Sequence, residues 1–283
     1  MNVLYPDIAL IIPARNEELS LPGVLRNVPS GISRVVVVDN GSTDATAQVA
    51  AEYGARVVPE PVAGYGRACL AGLDFLRNNP PDIVAFVDAD GSDELSRLPD
   101  LIAPVASGEA DLVLGRRIPV VATALSFQQR FGHILATGLI RLFWKHRFRD
   151  LGPMRVIRWA DLERLSMTDQ AFGWTVEMQV RALKHGLRIR EIDVPYHLRT
   201  AGKSKISRTI SGTVRAGTTI LWVIGRELAH DLWHKSEQSA PPLEKGGPGG
   251  ISLLQQKGNP PESPFAKGGL YCKLKINAHY DGE

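Results

Sequence analysis

Cysteine is almost absent from this chain of 283 residues: Cys69 and Cys272 are its only two. Cys69 falls in an expected helix and Cys272 in an expected tail, which excludes a disulfide framework and a cysteine metal site; a reducing cytosol suits such a chain. Long apolar runs are missing too. The longest uncharged apolar stretches of the C-terminal half, Phe131–Ile140 and Ala216–Gly225, have ten residues each, against the roughly 20 that a membrane-spanning helix needs. Met1 to Asp7 carry no basic segment followed by a long apolar one, so no secretory signal is expected there. Charge of one sign is also scarce: 33 Lys and Arg stand against 30 Asp and Glu, a net charge of +3. A uniformly basic surface for nucleic acid is therefore excluded.

What remains is an ordinary globular composition, 44% hydrophobic and 22% charged, enough for one domain plus some extra length. Strand-like runs recur at Ile8–Ile12, Val35–Val38, Arg56–Val58, Ile83–Val87 and Leu112–Leu114. Helical stretches lie between them, at Glu17–Asn27, Asp44–Tyr53, Arg67–Asn78 and Leu98–Ala106. Because each strand is continuously apolar rather than alternating, the expected fold is α/β, a Rossmann-like and mostly parallel sheet covered by helices on both faces. Ligands of such sheets bind beyond the carboxyl ends of the strands.

Those ends carry the polar residues. After the first strand comes Pro13-Ala-Arg15-Asn-Glu17-Glu18, after the second Asp39-Asn-Gly-Ser42-Thr43-Asp44, after the third Pro59–Arg67, and after the fourth Asp88-Ala89-Asp90. In an extended strand, side chains at i and i+2 point to the same side, so Asp88 and Asp90 can face one point. Mg²⁺ and Mn²⁺ suit such a pair, with substrate phosphate oxygens and water completing the shell. Ser42 or Thr43 is expected to cap the helix that follows. Asp39, directly after four valines, is placed to accept hydrogen bonds from a base or ribose.

Ile8-Ala-Leu-Ile-Ile-Pro-Ala-Arg-Asn-Glu17, Val38-Asp-Asn-Gly-Ser-Thr-Asp44, Gly64-Tyr-Gly-Arg-Ala68 and Val87-Asp-Ala-Asp-Gly91 occur in that order. They are followed by Gly115-Arg-Arg117, Asp150-Leu-Gly-Pro-Met-Arg155, Phe172-Gly-Trp-Thr-Val-Glu177 and Gly202-Lys-Ser-Lys205. Across about residues 6–230 this series resembles the family 2 glycosyltransferases of GT-A fold, especially dolichyl-phosphate mannose and glucose synthases and bacterial polyprenyl-phosphate glycosyltransferases.

The resemblance implies roles residue by residue. Pro13, Arg15, Glu17 and Asp39 would surround the nucleoside of a UDP- or GDP-sugar, and Asp88 and Asp90 would hold Mg²⁺ or Mn²⁺ against its diphosphate, with Ala89 between them at the same donor site. Gly64 and Gly66 would allow close backbone approach, with Arg67 near phosphate. Arg116 and Arg130 resemble basic residues that receive the acceptor phosphate, a task suited to guanidinium geometry. Asp150 would face the donor sugar, and Lys203, Ser204 and Lys205 would close over the diphosphate. The family often has Gln two positions after the second Asp. Here that place is Ser92, a poorer metal ligand.

The chemistry follows from charge. A lipid phosphate is already anionic and can displace the nucleoside diphosphate directly, with inversion. A hydroxyl acceptor needs a base, for which Glu177 is the candidate, unless it merely favours the start of its helix. From Arg199 to Lys235 there are seven Lys or Arg against two acidic residues, and from Arg130 to Arg149 five against none. Bulky apolar residues share both regions, which suits amphipathic helices adsorbed on an anionic membrane surface, the place of a polyprenyl phosphate. The expected location is peripheral, at the cytoplasmic face, with room for a membrane-protein partner.

Residues 1–235 are expected to form the transferase domain, with the nucleotide-sugar half at about 1–115 and the acceptor half at about 116–235. Residues 236–283 hold eight Gly and six Pro, as expected of a dispensable disordered tail. Two other classes stay open, a nucleotidyltransferase releasing pyrophosphate and a non-catalytic nucleotide-binding protein.

Overall fold

The continuous apolar runs of the first half each become a strand of one sheet. β1 (Ile8–Ala14), β2 (Arg34–Asp39), β3 (Arg56–Pro59), β4 (Ile83–Phe86) and β5 (Leu112–Pro119) are joined by β6 (Arg155–Arg158) and β7 (Ile189–Tyr196). This computed structural model describes residues 6–121, 127–200 and 210–239, the side chains of 127–131, 210–216 and 234–239 excepted. The strand order is β3-β2-β1-β4-β6-β5-β7. Neighbours pair in parallel except at β6, which runs antiparallel to both β4 and β5. The helices are α1 (Leu21–Arg26), α2 (Thr46–Glu52), α3 (Tyr65–Leu76), α4 (Leu98–Ala106), α5 (Phe127–Trp144), α6 (Trp159–Leu165), α7 (Trp174–Lys184) and α8 (Ile210–Ser239).

Strand alternation divides the core. Ile11, Val38 and Phe86 face one side, where they pack with Leu73 of α3 and Trp174 of α7. Leu10, Ile12 and Val37 face the other, with Leu98 and Leu101 of α4. Each such buried side chain contributes about 1.5–3 kcal/mol, and with both faces covered no strand needs a polar side. That is why the runs are unbroken in sequence.

Helix starts differ from the sequence expectations at three places, α3 beginning at Tyr65 ahead of the expected Arg67. Residues 17–20 make a turn, with Ser20 and Leu21 N–H both donating to the Glu17 carbonyl, so α1 begins at Leu21 instead of Glu17. Neither Ser42 nor Thr43 caps α2, whose N-cap is Ala45. Asp44 Oδ1 instead accepts the Thr46 N–H at 3.0 Å, while Ser42 and Thr43 turn toward Asn16.

The chain divides into two compact units, Met1–Ala229 and His230–Glu283. Most of the tail expected at 236–283 lies outside the described residues. Among the described residues no helix is long and apolar enough to cross a membrane.

α3 can lie close to the sheet because Gly72 has no side chain. A Cβ there would stand 2.9 Å from Ile11 Cγ2 and 3.1 Å from Val38 Cγ2, both in the packed core. Gly72→Val is expected to lower the unfolding free energy by about 2 kcal/mol through overpacking, measured by chemical denaturation.

Candidate active site

The loops after β1 and β2 form the first part of the rim, and they hold each other. Asn16, in a left-handed conformation with φ 51°, receives the Thr43 N–H at 2.8 Å on its side-chain oxygen and donates its own N–H to Ser42 Oγ at 3.0 Å. Glu17 N–H donates to Thr46 Oγ1 at 2.8 Å, and Glu18 Oε2 accepts the Ala45 N–H at 2.9 Å. Pro13 ends this arrangement half-buried in β1, and Arg15 points out exposed. Asp39 accepts the Ser42 N–H at 3.1 Å and remains half-buried at the rim. Glu17 is buried, with Oε2 taking the Ser20 hydroxyl at 2.7 Å.

At the third loop the structure gives the glycines a different reason. A Cβ on Gly64 would meet the Gln170 carbonyl at 2.3 Å, and one on Gly66 the Asp169 carbonyl at 2.0 Å. The close approach is therefore to the loop before α7. The amides of Gly66 and Arg67, which would be open to an anion at a helix start, donate instead to Ala171 O and Gln170 O, each at 3.1 Å. The Arg67 side chain, half-buried, has no ion-pair partner among the described residues.

The fourth strand end is crowded with carboxylates. Asp90 Oδ1 accepts from Ser92 N–H at 2.9 Å and Ser92 Oγ at 2.5 Å, so Ser92 holds Asp90 in place. Asp90 Oδ2 accepts from Arg199 Nη2 at 2.7 Å and Nε at 3.2 Å. Ala89 is buried and turns its side chain into the core. Asp93 Oδ2 accepts the Asp88 N–H at 3.1 Å, while its Oδ1 is buried without a hydrogen-bond partner among the described residues. Burial, with the charges of Asp90 and Asp93, pushes the Asp88 carboxyl well above its ordinary range. Asp93 is pushed up to about 7, by burial first and then by Asp90, against the hydrogen bond from Asp88.

Such a group of mutually repelling oxygens, one of them unsatisfied, fits a hard divalent cation. Among the described residues no set of three His, Cys, Asp or Glu is arranged to hold a metal by itself. Asp88 and Asp90 would therefore share the ion with phosphate oxygens and water, the Arg199 guanidinium giving up Asp90 Oδ2 to it.

The next residues of the site come from the second half. Arg117 Nε and Nη2 donate to Asp150 Oδ2 and Oδ1 at 2.8 and 2.9 Å, the Arg117 N–H adds a third bond at 2.9 Å, and His133 Nδ1 lies 2.8 Å from Asp150 Oδ1. Burial alone would raise the Asp150 carboxyl, but the bonds and charge of Arg117 and His133 hold it well below the usual carboxylate range. The guanidinium also lies 5.1 Å over the Tyr196 ring. Neighbouring strand residues point to opposite faces: Arg116 turns away and pairs with Asp193 at 2.6 Å. Arg130 lies in α5 with its side chain outside the described residues, as do Lys203, Ser204 and Lys205 entirely.

Glu177 is not placed as a base. It is 0% exposed, and its oxygens accept from Thr168 Oγ1 at 2.7 Å, Thr168 N–H at 3.1 Å, Asp169 N–H at 2.8 Å and Arg226 at 2.5 Å. No oxygen is left to take a proton from a substrate. Asp93, Arg117, His133, Tyr196 and Arg199 were not among the site residues expected from sequence. Asp93 reads as a turn residue, Arg117 cannot be told from Arg116 without strand pairing, and Arg199 carried only the general signal of a basic segment.

A doubly wound sheet with paired carboxylates beyond a strand end defines a class of α/β proteins that place their ligand at the carboxyl edge of the sheet. Residues 9–162 match the family described as Glycosyl transferase family 2, and the chain belongs to it. It is 44% identical over 209 residues to an uncharacterised glycosyltransferase of Mycobacterium tuberculosis, covering 74% of this chain and 94% of the relative. A dolichyl-phosphate hexose transferase of Haloferax volcanii is 30% identical over 223 residues, covering 77% and 94%. An undecaprenyl-phosphate mannosyltransferase of Micrococcus luteus is 29% identical over 236 residues, covering 75% and 92%. The fold matches glucosyl-3-phosphoglycerate synthase of M. tuberculosis, solved with Mn²⁺, UDP-glucose and phosphoglyceric acid, with TM-score 0.62 at 21% identity over 78% and 80% of the two chains. The fold is GT-A and the protein is an enzyme of the hexosyltransferase class.

The raised Asp93 carboxyl makes a signed prediction for the metal-free protein. Between the unfolded value of about 4 and the folded value of about 7, the native state binds the extra proton. Its contribution to stability therefore falls as pH rises through that window. Asp93→Asn is expected to raise the melting temperature at pH 8, by less at pH 5, and to leave it nearly unchanged only at about pH 4 or below, measured by thermal unfolding in EDTA.

Proposed function

We propose that the enzyme moves a hexose from a UDP- or GDP-sugar to a polyprenyl phosphate at a membrane surface, with inversion, and that Asp88 and Asp90 bind Mg²⁺ or Mn²⁺. The carboxylate cluster at the end of β4, with a buried unsatisfied oxygen on Asp93, carries this reading. A divalent ion held there supplies positive charge to the departing diphosphate. Arg67 stands at the rim without an ion-pair partner among the described residues and adds charge to the same phosphates. Arg199 shares in this role, since its guanidinium already lies on Asp90. Pro13, Arg15, Glu17 and Asp39 take the nucleoside side, and Lys203, Ser204 and Lys205, which lie outside the described residues, the diphosphate.

The occupied oxygens of Glu177 favour a phosphate acceptor over a hydroxyl. A phosphate monoester is ionised at neutral pH and attacks the anomeric carbon with no proton to lose, which fits a carboxylate consumed by hydrogen bonds. The names of the two prenyl-phosphate relatives point the same way. Arg130 remains the proposed receiver of the acceptor phosphate, Arg116 being turned to Asp193, and the Arg117–Asp150 pair shapes the pocket beside the donor sugar. Ile134 and Leu142 of α5 are 72% and 68% exposed, with Arg141 and Lys145 close in sequence. This combination suits adsorption at an anionic interface.

Two measurements check the proposal. With Mn²⁺, polyprenyl phosphate and a panel of UDP- and GDP-sugars, one donor is expected to release nucleoside diphosphate only when lipid is present, and Asp90→Ala to lower the rate about 100-fold or more. Release of pyrophosphate, or release indifferent to lipid, contradicts it. In co-sedimentation, the protein is expected to bind anionic liposomes, and Ile134→Glu with Leu142→Glu to leave it in the supernatant.

A further inference from the structure

Glu177 has no free oxygen for chemistry, yet it sits between α8 and the loop before α7. On one side its oxygens accept the N–H groups of Thr168 and Asp169. The loop thus held, Thr168–Ala171, presents the Gln170 and Ala171 carbonyls to the amides of Arg67 and Gly66. The contact is tight, because a Cβ on Gly66 would lie 2.0 Å from the Asp169 carbonyl. On the other side Arg226 of α8 donates to Glu177 Oε1 at 2.5 Å. α8 also presses on the start of α7, where a Cβ on Gly173 would meet Val223 Cγ2 at 2.4 Å.

We propose that the Glu177–Arg226 pair is a positioning contact through which α8 sets the α3 N-terminus, Gly64–Arg67, at the donor site. The inference rests on the donor role given above to that terminus. The order of contacts is continuous: α8 holds Glu177, Glu177 holds the loop amides, and the loop carbonyls hold the first amides of α3. Displacement of α8 therefore releases the residues that carry Arg67 to the phosphates. Binding at the donor site strengthens the docking of α8 by the same factor, as linkage requires.

Arg226→Gln is a clean probe, since Arg181 of α7 also lies 3.1 Å from Glu177 and keeps the buried carboxylate paired. Two readouts separate the coupling from the donor assignment: hydrogen exchange of the Gly66 and Arg67 amides in the free enzyme, and the affinity for UDP and GDP with Mn²⁺. In Arg226→Gln the two amides are expected to exchange about tenfold faster while β1 and β2 amides are unchanged, and the nucleotide Kd to rise about fivefold or more. Unchanged kcat at saturating donor and recovery in Arg226→Lys accompany this result. Unchanged exchange at Gly66 and Arg67 overturns the coupling, and so does a uniform rise across the sheet. Faster exchange with unchanged nucleotide affinity overturns the role of α3 in donor binding.

Discussion

Electrostatic repulsion at the carboxyl end of β4 is the constraint on which the rest of the site depends. Asp88, Asp90 and Asp93 are brought within one turn of chain, and Asp150 contributes a further negative field to Asp93. Such a concentration survives only where cations stand among the anions. Arg199 neutralises Asp90, Arg117 neutralises Asp150, and Asp88 and Asp93 are left with raised carboxyl groups. The cluster is short of positive charge, and the divalent ion proposed for the donor diphosphate would answer that shortage.

The surroundings serve to hold this cluster still. Beneath it Arg155, 1% exposed, donates to the Gly152 and Pro153 carbonyls and to Thr175 O, fixing the turn that carries Asp150. Antiparallel β6 makes this possible, since it returns the chain between β4 and β5 and places Arg155 opposite Phe86 at the end of β4. On the outer side, Thr200 N–H donates to the Asp90 carbonyl and His197 N–H to the Ser92 carbonyl. The end of β7 thus clasps the carboxylate loop from above, with Arg199 directed inward. Donor chemistry and acceptor geometry are joined through this contact between the two halves of the sequence.

How much of this could be read from the sequence depended on burial. β1 to β5 were visible because strands covered on both faces are unbroken apolar runs, and Asp88 and Asp90 were visible because they end one. β6 was not, since Arg155-Val-Ile-Arg158 is short and charged at both ends; β7 alternates Ile, Arg, Glu and Asp and carries Pro195. Gly64 and Gly66 were recognised as positions of close approach, but the partner is backbone from residues 169–171, a tertiary contact no local pattern reveals. Glu177 shows the same limit from the other side. An acidic residue in an apolar helix looks like chemistry, whereas here it is a buried anchor for a loop and for α8.

The central claim is that Asp88 and Asp90 are built for a metal–diphosphate and not for a metal alone. Mn²⁺ binding followed by electron paramagnetic resonance, with and without UDP or GDP, tests it most directly. The account predicts weak binding of Mn²⁺ by itself, much tighter binding when the matching nucleoside diphosphate is present, and loss of that gain in Asp88→Asn and Asp90→Asn. Nucleotide bound equally well in EDTA, or Mn²⁺ uptake indifferent to both substitutions, would contradict it.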